Sequence, residues 1–460
     1  MMKRILGTAF AVSATCVSAN AADMIMDVKA PREPVYRCDI TGFIELPGTD
    51  VCFKIGGYAG LEVYAFEDQW PPSVGAAYGI IPDGHVLENT MGMYAFTHVN
   101  FDVRTATEYG TVRAFIEGEL TDNDTRTGGS FGLRHAFIQF GNWTLGKTWS
   151  TFLHLDSSPI YSDVVTVTGD NYMRRNQIRY TQTFGNGWSM AVSVEDQNYA
   201  YPYSLRATGL LGPVTAFCGV PNGCAVVNNR NEVPDVVANL RVDGDWGNAQ
   251  LSGALHNNKF RDVFFGAAPA PVPGNQTDSE IGWALLGGAM VKTPATGEYD
   301  YFTLKGIYTN GATQYNEDNF LYTANTVWGA CNRLVPAAGD CIVDTVTTWS
   351  VLASHTHFWT DRVYTTIGAG YQNVTAPISA FNPFVATLAS DFEMDTYEIF
   401  GNISWRPVAQ TTFMLDVHYG HVDFNGAGTA GGVFNPFVVN PLADDSQGAF
   451  LVALDIRRSF

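Results

Sequence analysis

From residue 53 to residue 460 the chain repeats one pattern. Apolar and polar residues alternate singly over eight to seventeen positions, then stop at Gly, Asn, Asp or Pro. A period of two marks a strand whose faces meet different surroundings. In 53–66, Phe53, Ile55, Gly57, Ala59, Leu61 and Val63 fall on one face, with Lys54, Tyr58, Glu62 and Tyr64 on the other. In 449–460, Phe450, Val452, Leu454, Ile456 and Phe460 share a face interrupted only by Arg458, opposite Leu451, Asp455, Arg457 and Ser459. The same reading predicts sixteen strands: 53–66, 91–107, 111–120, 131–140, 143–150, 175–184, 188–196, 234–242, 248–257, 280–292, 299–309, 345–358, 363–374, 394–405, 411–423 and 449–460.

The connections alternate short and long seven times. A sandwich has no reason to do this. An up-and-down barrel across an outer membrane does, with short turns on the periplasmic side and long loops outside. A greasy strand ending on Phe460 also needs a partner, because open edges aggregate, and pairing it with the first strand supplies one. Sixteen strands enclose more space than side chains fill, so the lumen is wet. The outside must be apolar, since unpaired polar groups in hydrocarbon cost several kcal/mol, roughly. The expected fold is all-β, a 16-stranded antiparallel transmembrane β-barrel over 51–460.

Residues 1–21 read as a cleaved secretory signal: Lys3 and Arg4, an apolar run over 5–17, then Ser18-Ala19-Asn20-Ala21. Residues 22–50, with Pro31, Pro34 and Pro47, read as a periplasmic lead-in. Beyond the signal the longest obvious apolar run, 283–291, has nine residues, too few for a membrane helix, whereas a barrel strand needs only about 9–11. Without the signal, 24 basic residues face 45 acidic ones, a net charge of −21. That excludes nucleic acid as a partner and leads us to expect a mildly cation-preferring channel. The six cysteines that remain fall as close pairs, Cys38/Cys52, Cys218/Cys224 and Cys331/Cys341. Six cysteines allow fifteen pairings. The clustering favours three local disulfides in an oxidising compartment.

Several stretches together resemble the alphaproteobacterial (rhizobial-type) general porins. They are Cys38-Asp39 with Leu46-Pro47-Gly48-Thr49 and Cys52-Phe53-Lys54-Ile55-Gly56-Gly57-Tyr58, then Thr107-Glu108-Tyr109-Gly110-Thr111-Val112-Arg113 and Ala136-Phe137-Ile138-Gln139-Phe140. Asn176-Gln177-Ile178-Arg179-Tyr180, Pro234-Asp235-Val236-Val237-Ala238-Asn239-Leu240-Arg241-Val242 and the ending Arg458-Ser459-Phe460 complete the set. The resemblance implies a homotrimer set in outer-membrane lipid and lipopolysaccharide, passing small hydrophilic solutes and ions. It implies that the third long loop folds inward and narrows the channel. It also gives Phe460 the role of an assembly signal.

That loop, 151–174, carries Asp156, Asp163 and Asp170 and no cation before Arg174. Folded inward, it would line one side of a constriction with carboxylates. The facing wall is expected to carry Arg175 and Arg179, with Lys305 at mid-height and Arg104 and Arg113 nearer the periplasmic end. Opposed charges across a narrow wet channel order water and sort solutes by charge. The alternative is that such pairs only hold the wall together.

Other signals carry less. Gly426-x-Gly428-x-x-Gly431 lacks the helix that makes a phosphate site. Asp122-x-Asp124 lacks the Gly and Glu of a calcium loop. His355-x-His357 reads as a polar rim pair rather than a metal site. No Ser/His spacing picks out a catalytic pair, so we expect neither enzyme nor cofactor. Two Phe-Asn-Pro-Phe-Val motifs, at 381–385 and 434–438, are expected to pack together at loop tips. The competing readings are a substrate-specific channel, which would show a stacked aromatic track, and a surface structural or adhesin β-barrel.

Overall fold

The computed structural model describes residues 38, 41–66, 90–122, 130–197, 225–229, 233–264, 277–316, 327–331, 341–376, 392–425 and 446–460. Sixteen strands form the wall. In chain order they are β1 (Val51–Phe66), β2 (Thr90–Thr107), β3 (Gly110–Thr121), β4 (Ser130–Phe140), β5 (Trp143–Trp149), β6 (Arg174–Gly185), β7 (Trp188–Glu195) and β8 (Asp235–Gly244). Then come β9 (Gly247–Phe264), β10 (Thr277–Lys292), β11 (Tyr301–Asn310), β12 (Thr347–Thr360), β13 (Val363–Ala376), β14 (Phe392–Trp405), β15 (Thr411–Asn425) and β16 (Ser446–Ser459). Each pairs antiparallel with the next. β16 returns to β1, with Tyr58 opposite Ser459 and Phe66 opposite Leu451. The Phe460 amide adds a bond to the Gly57 carbonyl at 3.0 Å. The ring is closed, as the alternation required.

The two faces sort as expected. Outward lie Leu251, Leu255, Ile281, Leu285, Ile367 and Ile399, all exposed. Aromatics concentrate in two belts. Trp143, Trp188, Trp246, Phe302, Trp405 and Phe460 sit near the short turns, and Trp283, Tyr308, Trp349, Tyr397, Tyr419 and Phe450 lie toward the long loops. Tyr397 and Trp405 are eight residues apart on β14. That is about 26 Å of strand and about 20 Å of height at a tilt near 40°, close to the apolar band of an outer membrane. Among the described residues no helix is long and apolar enough to cross a membrane.

The structure adds elements inside the predicted loops. A short strand, Ile44–Glu45, pairs with the start of β1. Another, Ala225–Asn229, lies in the predicted loop 197–233 and pairs with Phe260–Phe264. That partner carries β9 beyond its predicted end at residue 257. Val327–Cys331 and Cys341–Thr345 form a hairpin that sets Cys331 opposite Cys341. The Cys38–Cys52 disulfide is present, closing the lead-in onto β1. Residues 1–21, Cys218, Cys224, the Gly426 motif and both Phe-Asn-Pro-Phe-Val motifs lie outside the described residues.

Candidate functional site

The connection between β5 and β6 does not leave the barrel. It turns into the lumen as a strap and crosses at mid-height. An irregular segment has no ladder for its backbone, and buried unpaired N–H and C=O groups are costly. The wall supplies the partners. Thr151 N–H donates to Glu195 on β7 at 2.8 Å, Ser162 N–H to Asp416 on β15 at 2.8 Å, Val164 N–H to Glu62 on β1 at 3.1 Å, and Thr168 N–H to Glu398 on β14 at 2.6 Å. In return, Asn239 donates to Thr151 O at 2.7 Å, Gln250 to Leu153 O at 2.9 Å and Asn402 to Ile160 O at 2.6 Å. The strap runs out along the wall from β7 to β1 and comes back over β14 and β12.

Apolar residues on the wet face fit this path. Phe152, Leu153 and Met173 pack on Val237, Ala254, Leu286 and Ile307. Val165 packs on Ala449, Leu451 and Ala453, and Val167 on Leu352 and Phe400. Burying one such large side chain is worth about 1.5–3 kcal/mol. Where the strap crosses β13, Gly370 lets the two backbones touch, because a Cβ there would collide with the Thr168 carbonyl. Burial, with Arg241 nearby, pushes His154 down to about 4, so this strap histidine is neutral at physiological pH.

The three strap acids each meet a wall cation. Asp156 pairs with Arg241 at 2.6 Å, and Asp163 with Arg457 at 3.2 Å. Asp170 pairs with Lys305 and also accepts from Ser158 Oγ and Tyr161 OH, each at 2.9 Å. Asp156 and Asp163 keep 42 % and 44 % of their side-chain surface, whereas Asp170 keeps 0 %. Asp170 is therefore an anchor beneath the strap, not part of its rim. Lys305 is the expected cation that reaches a strap acid.

The other expected cations lie elsewhere. Arg104 and Arg113 both fork onto Asp102, at 3.0 and 2.9 Å, low on the β2–β3 wall. Arg175 is buried, donating to the Asp196 carbonyl at 3.2 Å. Arg179 faces the lumen on β6, and its Nε has no hydrogen-bond partner. The sequence reading missed Arg241 and Arg457 as strap partners, and Glu62, Glu195, Glu398 and Asp416 as anchors. Glu62, Glu398 and Asp416 carried a signal, single carboxylates on the wet face within a strand, whereas Glu195 ends β7.

The strap fills one side of the lumen and leaves the other open. On β2–β4, Arg104, Arg113, Glu119 and Arg134 keep 25–31 % of their side-chain surface. Under the strap, Lys305, Glu398 and Asp416 keep 0–3 %. The open side is thus lined by ionised residues, facing the exposed strap acids Asp156 and Asp163.

A closed sixteen-stranded cylinder, greasy outside, ionised inside and narrowed at mid-height by its own chain, is a channel protein of the outer membrane. Residues 23–447 match the porin subfamily, and the chain belongs to that family. Porin Omp2a of Brucella ovis is 25% identical over 302 residues, covering 62% of this chain and 84% of that one. Porin Omp2b of Brucella neotomae is 26% identical over 307 residues, 62% and 79% of the two chains. Among solved structures, the outer membrane channel DcaP of Acinetobacter baumannii superposes with a TM-score of 0.60 at 16% identity, over 89% of this chain and 97% of that one. The anion-selective porin from Comamonas acidovorans gives 0.50 at 10% identity, over 89% and 100%.

Proposed function

We propose that this outer-membrane channel passes small hydrophilic solutes and ions by passive diffusion, without catalysis, through the lumen left beside strap 151–174. The observation that carries this is the contrast between the two sides of the lumen. Asp156 and Asp163 form the strap's side of the eyelet. Arg104 and Arg113 act below it and Arg179 at mid-height. Asp170 with Lys305, and Arg175 near the strap's exit, hold the wall and strap rather than sort solutes.

Each strap acid is matched by a cation, so the net charge of the chain overstates the charge a permeating ion meets. A mild cation preference follows from the open faces of Asp156 and Asp163. The chain loses residues 1–21 on export, its lead-in over 22–50 stays in the periplasm, and Phe460 at the closing seam serves assembly. Like the general porins it resembles, it works as a homotrimer in lipid and lipopolysaccharide. Purified protein in a planar bilayer should conduct in ohmic steps, with a reversal potential slightly favouring potassium over chloride. Absence of conductance would reject the channel, and a chloride preference would reject the role given to Asp156 and Asp163.

A further inference from the structure

The lumen face of the β1–β2 pair carries a ladder of rings. Paired residues run Tyr58 with His98, Gly60 with Phe96, Glu62 with Tyr94, and Tyr64 with Gly92. Phe66 follows on β1. Each of these rungs therefore holds at least one aromatic ring. The rings touch in sequence: Phe66 to Tyr64 at 6.0 Å and nearly parallel, Tyr64 to Tyr94 at 6.3 Å, Tyr94 to Phe96 at 5.6 Å, Phe96 to Tyr58 at 5.8 Å and Tyr58 to His98 at 4.3 Å between centroids.

Glycine makes this possible. A Cβ on Gly60 would come within 2.5 Å of the Phe96 ring, and one on Gly92 would collide with the Tyr64 ring. Both rings lie down across the partner strand instead of standing into the channel. Tyr58, Tyr64, Phe66 and Tyr94 are only half-buried, on the wet side of the wall, whereas Phe96 and His98 are buried and link them. From Tyr58 to Phe66 the ladder climbs eight residues of β1, about 20 Å of channel height at a tilt near 40°.

Tyr64 and Phe66 lean in part on the strap cluster around Val165, but the ring surface that this packing leaves uncovered still faces water, which is unfavourable. An apolar solute does not fit it, because ionised groups interleave with the rings. Arg457 lies over Tyr58 and Phe96 at 5.5 and 5.3 Å, between Asp163 and Asp455. Arg134 joins Glu117 and Glu119 beside His98. These groups mix both signs, each guanidinium lying between two carboxylates. They offer charged donors and acceptors side by side, the arrangement that grips neighbouring hydroxyls. Flat rings flanked by such pairs suit a solute with an apolar ring face and a rim of hydroxyls.

We propose that the β1–β2 ladder is a carbohydrate track, on which linear oligosaccharides bind and slide during passage. This rests on the channel reading above and deepens it. The test is single-channel recording of the full chain with maltohexaose, against a polyethylene glycol of similar hydrodynamic size. Maltohexaose should interrupt the current in a concentration-dependent way, and the polymer should not. Tyr64→Ala with Phe66→Ala should shorten the interruptions about tenfold, from roughly 1 kcal/mol or less lost per ring. Because both rings also pack on the strap around Val165, the polymer size cut-off is measured alongside and should stay at the wild-type value. A shortening seen only with a widened cut-off would overturn the track. Tyr94→Phe keeps its ring and should keep most of the residence time. Equal responses to sugar and polymer, or unaltered interruptions in the double variant, would overturn the track while leaving the channel intact. Loss of conductance in the wild type would instead refute the channel and the track with it.

Discussion

Replacing Lys305 by Met should loosen the strap. The Lys305–Asp170 pair is almost wholly out of solvent. Removing the cation leaves a buried carboxylate with the Ser158 and Tyr161 hydroxyls and the Asn171 N–H as donors and no counter-charge. Breaking a buried pair on one side costs about 3–5 kcal/mol. At about 1.4 kcal/mol per factor of ten, strap attachment weakens by roughly a hundredfold to a few thousandfold. The remaining anchors at Glu62, Glu195, Glu398 and Asp416 still hold, so the strap fluctuates rather than leaves. Single-channel recordings should show larger, noisier openings, and liposome swelling should admit larger sugars. Combining Lys305→Met with Asp170→Asn removes both charges. Paired removal is often close to neutral, and the amide can accept from one of the two hydroxyls while its NH2 donates to the other, so conductance and size cut-off should return toward wild type. A single variant that matches wild type in both assays would refute the reasoning. So would a double variant as leaky as the single.

Four further outcomes are expected. Gly370→Val should push the strap off β13, changing the size cut-off while the barrel still resists SDS until heated; an unchanged cut-off would mean that the crossing carries no strain. Cys52→Ser should make the lead-in more sensitive to protease, since a bridge spanning 14 residues is worth about 3 kcal/mol. Non-reducing peptide mapping should also find Cys331 joined to Cys341 and Cys218 to Cys224. In the turn between β10 and β11, desolvation would raise the pKa of Asp300, but His357 at 2.6 Å and the Phe358 N–H at 2.9 Å hold it at about 2. A depressed carboxylate stabilises the fold fully above its unfolded pKa, about 3.9. Its contribution then fades as pH falls through about 2. Asp300→Asn should melt lower than wild type at neutral pH, the gap closing near pH 2; a constant gap would exclude this origin.

Much of the wall was legible because lipid imposes one rule on every strand. Phe450, Val452, Leu454 and Phe460 had to face out whatever else the chain does, and the short turns after residues 107, 140 and 185 were marked by Gly or Asn. The inward path of 151–174 came from family likeness, with its weak periodicity the local hint. Which cation meets which acid was not legible. Asp163 and Arg457 lie nearly three hundred residues apart and meet only across the lumen, so no local spacing pairs them. Asp102 and Arg104 share one face of a predicted strand, but that Arg113 meets the same carboxylate depends on the register of β2 with β3. The ring ladder was half visible. Tyr58 and Tyr64 share the wet face of one predicted strand, but their neighbours on β2 depend on pairing.

The strap has a mechanical consequence too. A hollow tube of sixteen strands has no packed interior to keep its cross-section round, and lateral pressure from the bilayer tends to ovalise it. A segment tied to the wall at Glu195, Lys305, Asp416 and Glu62 works as a spoke. The aperture can then be enlarged only by softening the tube, so permeability and rigidity are set by the same few bonds.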